Sequence, residues 1–200
     1  MKKLEEKYEN HLNIKTTRII ETNSKKGHNR CEPTPYKVLD KLFSKFNIDK
    51  TDSVVDFGCG LGRITFYIHN KFKCEVTGVE AYDNVFNELL RNKRNYDLIH
   101  SDIENPIHLE YELAEHFEIL PKHNKFYFFN PFSIHIFKKV INNILNSYKK
   151  DPREIYIIIY YPLPDYVYFL KKHTDFELIN KIKVKSSFDP FDKIRIYRLN

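Results

Sequence analysis

The chain has 200 residues, close to the usual size of one domain, and a hydrophobic share of 42% with 15% aromatics supplies one packed interior. That composition excludes wholesale disorder. The opening places Glu5, Glu6 and Glu9 where a secretory leader needs an apolar stretch, and no later apolar run approaches the roughly 20 residues that cross a bilayer, so a soluble cytoplasmic protein without a membrane span is expected. Net charge is +6 but uneven: residues 1–30 and residues 171–200 each hold eight Lys/Arg against four Asp/Glu, which leaves the middle at −2. Basic ends around a mildly acidic centre can steer an anionic partner such as nucleic acid, although lysines also simply keep a surface wet.

Three cysteines, Cys31, Cys59 and Cys74, form no C-x-x-C pair, and the nine histidines are scattered. No disulfide framework and no metal site are expected.

In chain order, residues 1–32 form an N-terminal arm: an amphipathic helix marked by Leu4, Tyr8 and Leu12, then a polar stretch. A domain over 33–200 follows. Its entry, Arg30-Cys31-Glu32-Pro33-Thr34-Pro35-Tyr36, is stiffened by two prolines. Thr34 followed by Pro35 is a helix start, and Tyr36, Leu39, Leu42, Phe43 and Phe46 supply the buried stripe of that helix. Ser53 to Phe57 reads as a short buried strand, and Ile64, Tyr67, Ile68 and Phe72 recur at helical spacing. The alternation continues with a strand from Cys74 to Glu80 and a helix from about Asp83 carrying Val85, Leu89 and Leu90.

Two segments compete for the third strand, Asp97–Ser101 and Ile107–Tyr111. The later one is preferred, with Ile107, Leu109 and Tyr111 as its buried alternation and a turn at Leu113–Glu115, because the earlier one leaves a 24-residue gap from Asp102 to the strand at Phe126. A strand at Phe126–Phe129 precedes a helix with Phe137, Val140, Ile141 and Ile144. Ile155 to Tyr161 is an unbroken β-branched and aromatic run suited to a central parallel strand, ended by Pro162 and Pro164. After a short helix around Tyr166–Lys172, Phe176–Val184 and Lys193–Leu199 follow with no room for a helix between them and should pair antiparallel. The expected fold is α/β: a doubly wound, Rossmann-like seven-stranded sheet, mostly parallel, with an antiparallel closing pair.

Glycine is the informative scarcity. Only five occur, and Gly58, Gly60 and Gly62 fall within five residues, on the turn between the first strand and its helix. Backbone N–H groups and bare Cα surface at such a turn suit a nucleoside cofactor. Arg63 stands where the dinucleotide fingerprint needs its third glycine, and no G-x-x-x-x-G-K-[ST] occurs, so NAD binding and a P-loop ATPase are excluded.

The run Val54-Val55-Asp56-Phe57-Gly58-Cys59-Gly60-Leu61-Gly62-Arg63 resembles the first motif of class I S-adenosylmethionine-dependent methyltransferases, and Glu80, 18 residues beyond Gly62, matches the acidic residue that family carries at the end of its second strand. Asn130-Pro131-Phe132 resembles the fourth motif of the amino-group methyltransferases, with one proline missing, and Thr34-Pro35 is similar to the Thr-Pro segment that touches the methionine end of the cofactor in several of them. Glu-Pro-Thr-Pro-Tyr at 32–36 and Phe-Asn-Pro-Phe at 129–132 are also similar to segments of small, poorly characterised bacterial members.

The resemblance implies S-adenosylmethionine as cofactor. Gly58, Cys59 and Gly60 would let the backbone approach it, Asp56 would meet the methionyl ammonium, and Glu80 would take both ribose hydroxyls, since a carboxylate accepts two donors. Ala114 and Glu115 are the candidates for the adenine, with Asp102 as the alternative, and Thr34 for the methyl-donor end. Asn130, Pro131 and Phe132 are the candidate catalytic residues: the amide orients an attacking amine, the proline stiffens the turn, and the ring, aided by Tyr160 and Tyr161, stacks on a planar acceptor. The expected reaction is methyl transfer by in-line displacement without a metal, to an acceptor left open: an amino group of a nucleic-acid base or another planar amine. The competing expectation is an S-adenosylmethionine-binding module without catalysis, and a third is a scaffold with no ligand.

Overall fold

The structure, a computed structural model, describes residues 2–17, 32–184 and 189–200. Arg30, Cys31 and the polar stretch that precedes them fall outside the described residues.

Seven strands and six helices are present among the described residues. The strands are β1 (Ser53–Phe57), β2 (Glu75–Glu80), β3 (Ile107–Tyr111), β4 (Lys125–Phe129), β5 (Ile155–Tyr160), β6 (Glu177–Lys183) and β7 (Lys193–Leu199). The helices are α1 (Lys2–Leu12), α2 (Tyr36–Phe43), α3 (Arg63–Phe72), α4 (Asp83–His100), α5 (Ile134–Lys150) and α6 (Pro164–His173). One sheet runs in the order β3-β2-β1-β4-β5-β7-β6. β1 to β5 are parallel, and β7 enters antiparallel between β5 and β6. The chain winds outward from β1 to β3, then restarts at β4 on the other flank of β1, so the switch point lies between β1 and β4. A crevice opens at the carboxyl ends of those two strands.

The two faces of the sheet separate by residue parity, as pleating requires. Val54, Val76, Ile158 and Ile194 pack with Leu39, Leu42, Ile64, Ile68 and Leu89 of the helices α2 to α4. Val55, Phe57, Ile157 and Ile159 pack on Phe137, Val140, Ile141 and Ile144 of α5 and on Tyr166 and Leu170 of α6. β5, with helices on both sides, therefore tolerates no polar residue at its centre.

Three local expectations need correction. β3 is an edge strand, and Tyr111 is 52% exposed because no helix follows it to cover that side; only Ile107 and Leu109 pack against the core. Thr34 does not cap α2: Pro35 holds that position and the Thr34 hydroxyl goes to Tyr127. Asp97–Ser101 is the last turn of α4 and the residue after it, so it supplies no strand.

α1 packs on α2 and α3. Leu12 and Ile14 are buried in the same core as β1, and the Tyr8 ring stacks on Tyr36 at 4.6 Å. No helix among the described residues is long and apolar enough to cross a membrane.

Candidate functional site

The crevice begins at the turn from β1 to α3. Gly58, Gly60 and Gly62 all have positive φ, at 70°, 57° and 85°, a conformation that side chains resist. The N–H groups of Gly58 and Cys59 both bond the Val79 carbonyl, at 2.9 and 3.1 Å, which draws the turn over the end of β2. A Cβ on Gly58 would lie 2.6 Å from Cβ of Pro131, so the first-motif turn and the Asn130-Pro131-Phe132 turn touch here.

Glu80 ends β2 inside this crevice, 5% exposed. One carboxylate oxygen accepts from Gly60 N–H at 3.0 Å, and the other accepts from Ala81 and Tyr82 N–H at 2.8 and 2.9 Å. These three backbone donors fix the carboxylate at the wall of the crevice. Asp56 also lines the crevice, buried, its carboxylate accepting from the Thr65 hydroxyl at 3.0 Å. Burial pushes its carboxyl up to about 7; the Thr65 hydrogen bond opposes the rise and the Glu80 charge adds to it. A desolvated carboxylate in a cavity wall fits a cationic ligand group.

The N-terminal residues complete one side. Thr16, Glu32, Pro33 and Thr34 line the crevice together with Arg63. The guanidinium of Arg63, 4% exposed, donates to Glu5 at 2.5 Å, to Glu9 at 3.3 Å, to the Thr16 hydroxyl at 2.7 Å and to the Thr34 carbonyl at 3.2 Å, and lies 4.4 Å from the Tyr36 ring centroid. One buried cation thus ties α1 to the first-motif helix.

At the other end, Tyr127, Phe129, Pro131 and Phe132 line the crevice. Asn130 is left-handed at φ 42° and lies outside the lining, next to it. Phe132 is 1% exposed, edge-on to Phe128, with its carbonyl accepting from the Tyr166 hydroxyl, so its ring belongs to the core and has little free face to stack on an acceptor. Phe129, packed 4.6 Å from Tyr160, is the aromatic ring better placed for that work. Tyr160 and Tyr161 are tied by their hydroxyls to Asp192 and Asp189, at 2.8 and 2.5 Å, and Tyr161 is left-handed at φ 55°.

The structure therefore gathers Thr34, Asp56, Gly58, Cys59, Gly60, Glu80, Ala114, Pro131 and Phe132 around one crevice. It does not bring in Glu115 or Asp102. Glu115 turns toward α5, with its carboxylate 3.9 Å from Lys139 and its carbonyl accepting from Asn143. Asp102 is exposed in the turn after α4. Glu112 lines the crevice instead, its N–H bonded to the Glu80 carbonyl at 3.2 Å. Sequence reasoning also missed Arg63, Tyr82 and Tyr127. Among the described residues no group of three His, Cys, Asp or Glu side chains could hold a metal ion.

No family model matches the chain. It is similar to the rRNA adenine N-6-methyltransferases of Escherichia coli and Clostridium perfringens, each 27% identical over 132 residues, or 63% of this chain and 46% of the relative. The chain spans about half the length of these curated relatives. An RNA methyltransferase from Salinibacter ruber, solved with S-adenosyl-L-homocysteine, matches with a TM-score of 0.57 at 14% identity, over 84% of this chain and 92% of the other. Magnesium protoporphyrin IX methyltransferase from Synechocystis PCC 6803, solved with S-adenosylmethionine bound, matches with a TM-score of 0.56 at 13% identity, over 82% and 76%. The fold is that of the class I S-adenosylmethionine-dependent methyltransferases.

Proposed function

We propose that this chain is an S-adenosylmethionine-dependent methyltransferase whose acceptor is an amino group of a nucleic-acid base. The observation that carries the reading is the contact between Gly58 and Pro131, which sets a buried carboxylate pair, Asp56 and Glu80, beside the Asn130-Pro131-Phe132 turn at the switch point of the sheet. When bound, S-adenosylmethionine supplies an electrophilic methyl on a sulfonium. The chain's own work is positioning: Glu80 accepts the ribose hydroxyls, Asp56 faces the methionyl ammonium, and the backbone at Gly58 to Gly60 allows close approach. Asn130, at the edge of the crevice, accepts a hydrogen bond from the amine and aims its lone pair. Phe129, backed by Tyr160, is the apolar wall beside it, which excludes water from the transfer.

The adenine-specific rRNA enzymes among the relatives support a base amine as acceptor, while the porphyrin enzyme has the same fold and so fold alone does not choose. A second reading, cofactor binding without catalysis, draws on the position of Asn130 outside the lining and on the buried Phe132.

Calorimetry with S-adenosylmethionine, followed by transfer of a radiolabelled methyl to ribosomal RNA fragments and to free nucleosides, tests both. Micromolar binding with label in a base amine is the expected result. Binding without label in any acceptor supports the module, and no binding at millimolar cofactor overturns both readings.

A further inference from the structure

On the face of the sheet against which α6 packs, the β6–β7 ladder sets Lys181 opposite Arg195 and Lys183 opposite Lys193. These are two like-charged cross-strand pairs on one face, separated by the Ile182–Ile194 pair, which is buried on the other face. Like charges directly opposite each other weaken an antiparallel ladder. No salt bridge among the described residues relieves these four. The Arg195 Nε is buried without a hydrogen-bond partner, and its Nη1 reaches only the Tyr197 hydroxyl, at 3.4 Å. The nearby acids are bonded elsewhere, Asp189 accepting from the Tyr161 hydroxyl and the Phe191 N–H and Asp192 from the Tyr160 hydroxyl. Of the four cations, Lys193 acts on Asp189 through its charge, without an ion pair among the described residues.

Along the strands the cations lie at the height of the acceptor end of the crevice, on the face of the sheet opposite the Phe129 and Tyr160 rings. Phe129 pairs with Tyr160, Tyr160 pairs with Ile194, and the Tyr161 N–H bonds the Lys193 carbonyl at 3.0 Å. Two strand spacings, about 10 Å, separate β4 from β7. A base held at Asn130 would leave the phosphates of neighbouring nucleotides within reach of the strip.

We infer that Lys181, Lys183, Lys193 and Arg195 form the docking strip for the phosphodiester backbone of a single-stranded RNA acceptor. This rests on the methyltransferase reading above and names the partner of the same site. The RNA supplies anions opposite these two like-charged pairs, which become contacts that position the strand while the crevice reads the base. An exposed tyrosine on α6, Tyr168, with Lys171 and Lys172 also exposed on that helix, extends the surface with a ring on which a base can stack.

The test is fluorescence anisotropy with a labelled single-stranded RNA at several salt concentrations, on the full chain, with cofactor affinity measured in parallel by calorimetry. Lys181 and Lys183 are exposed, so the double variant K181E/K183E changes charge without opening the core. Its affinity for RNA should fall at least tenfold. Its salt slope should become shallower by about 1.4, two phosphate contacts at roughly 0.7 each for a single strand, with cofactor affinity unchanged. The control K149E/K150E makes the same charge change at the end of α5, on the amino edge of the sheet, and should bind RNA as the wild type does.

Unchanged affinity and slope in K181E/K183E, or an equal loss in the control, would overturn the strip. So would RNA binding left intact while binding to anionic phosphatidylserine vesicles is lost, which would make the surface a membrane contact. A wild type that binds cofactor and methylates a small amine but binds no RNA overturns the strip and leaves the methyltransferase reading standing.

Discussion

Gly58 and Pro131 lie so close that a Cβ added to the glycine would meet the proline Cβ at 2.6 Å. This contact joins the turn after β1 to the turn after β4 across the switch point of the sheet. Gly58→Ala adds both the clash and a side chain at φ 70°, for an expected loss of about 2–5 kcal/mol from overpacking and left-handed strain together. In a Pro131→Gly background the same substitution should keep only the strain, so a double-mutant cycle on denaturant unfolding should return a coupling of about 1–3 kcal/mol. Additive losses would show that the two turns do not press on each other.

Glu80 holds the turn with the carboxylate proposed above to meet the cofactor ribose. Glu80→Gln keeps the shape, but one oxygen becomes an NH2 donor, which must then face either the Gly60 N–H or the Ala81 and Tyr82 N–H pair. Cofactor affinity should fall by about 1.5–3 kcal/mol, roughly tenfold to a hundredfold, as charge-assisted hydrogen bonds are lost. Calorimetry on the folded variant reads this directly, and wild-type affinity would remove Glu80 from the site.

The Asp56 carboxyl, raised to about 7 by burial, makes two pH dependences of opposite direction. Its folded value lies above its unfolded value of 3.8, so its contribution to stability is full below that value and is lost as pH rises through about 7. Asp56→Asn mimics the protonated form and should be more stable than the wild type above neutral pH, by up to about 4 kcal/mol, with the gap closing toward pH 4. Binding runs the other way: a methionyl ammonium needs the carboxylate, so wild-type cofactor affinity should rise as pH passes 7, while the asparagine variant binds weakly and without that rise. Thermal unfolding and calorimetry at pH 5, 7 and 9 separate the two trends.

Arg63 answers for two acids. Arg63→Met leaves Glu5 and Glu9 facing each other without a cation in a largely buried place, and such a loss costs about 3–5 kcal/mol. Because Arg63 and Thr16 also line the crevice, cofactor affinity should drop with stability, whereas Glu5→Gln, at the more exposed end of the network, should be mild in both. A chemical-denaturation series on the two variants checks the asymmetry.

The sequence made the first turn readable because three of five glycines have no reason to cluster other than backbone geometry, and the strand-helix alternation placed β1, β2, β4 and β5 without help from contacts. β3 was legible through loop length, but its exposure was not, since edge position depends on the missing helix after it. Glu115 was the choice for the adenine by its place after Ala114; the direction of the turn at 114–116 is set by Lys139 and Asn143 on α5, and no local pattern announces that. For Arg63 the sequence shows the end of the first motif and a missing third glycine, but not its buried ion pairs. Its partners Glu5 and Glu9 sit on the face of α1 that also carries Leu12, and acids on an apolar face were the one available sign that a buried cation would meet them.

Asn130 combines an unusual backbone with a candidate chemical role, and the two can be separated. Asparagine enters the left-handed region more readily than other residues with a side chain, so at φ 42° it could serve the turn alone. Asn130→Gly keeps that backbone open and removes only the amide; Asn130→Ala removes the amide and adds about 1–2 kcal/mol of strain. If the amide orients the attacking amine, both variants should bind cofactor within about twofold of wild type and lose at least roughly tenfold in methyl transfer, or about 1.4 kcal/mol of transition-state positioning. Only the alanine variant should also unfold at a lower temperature. Wild-type turnover in Asn130→Gly, with loss confined to Asn130→Ala, would assign the residue to the turn and leave the aiming of the acceptor to Phe129 and Tyr160.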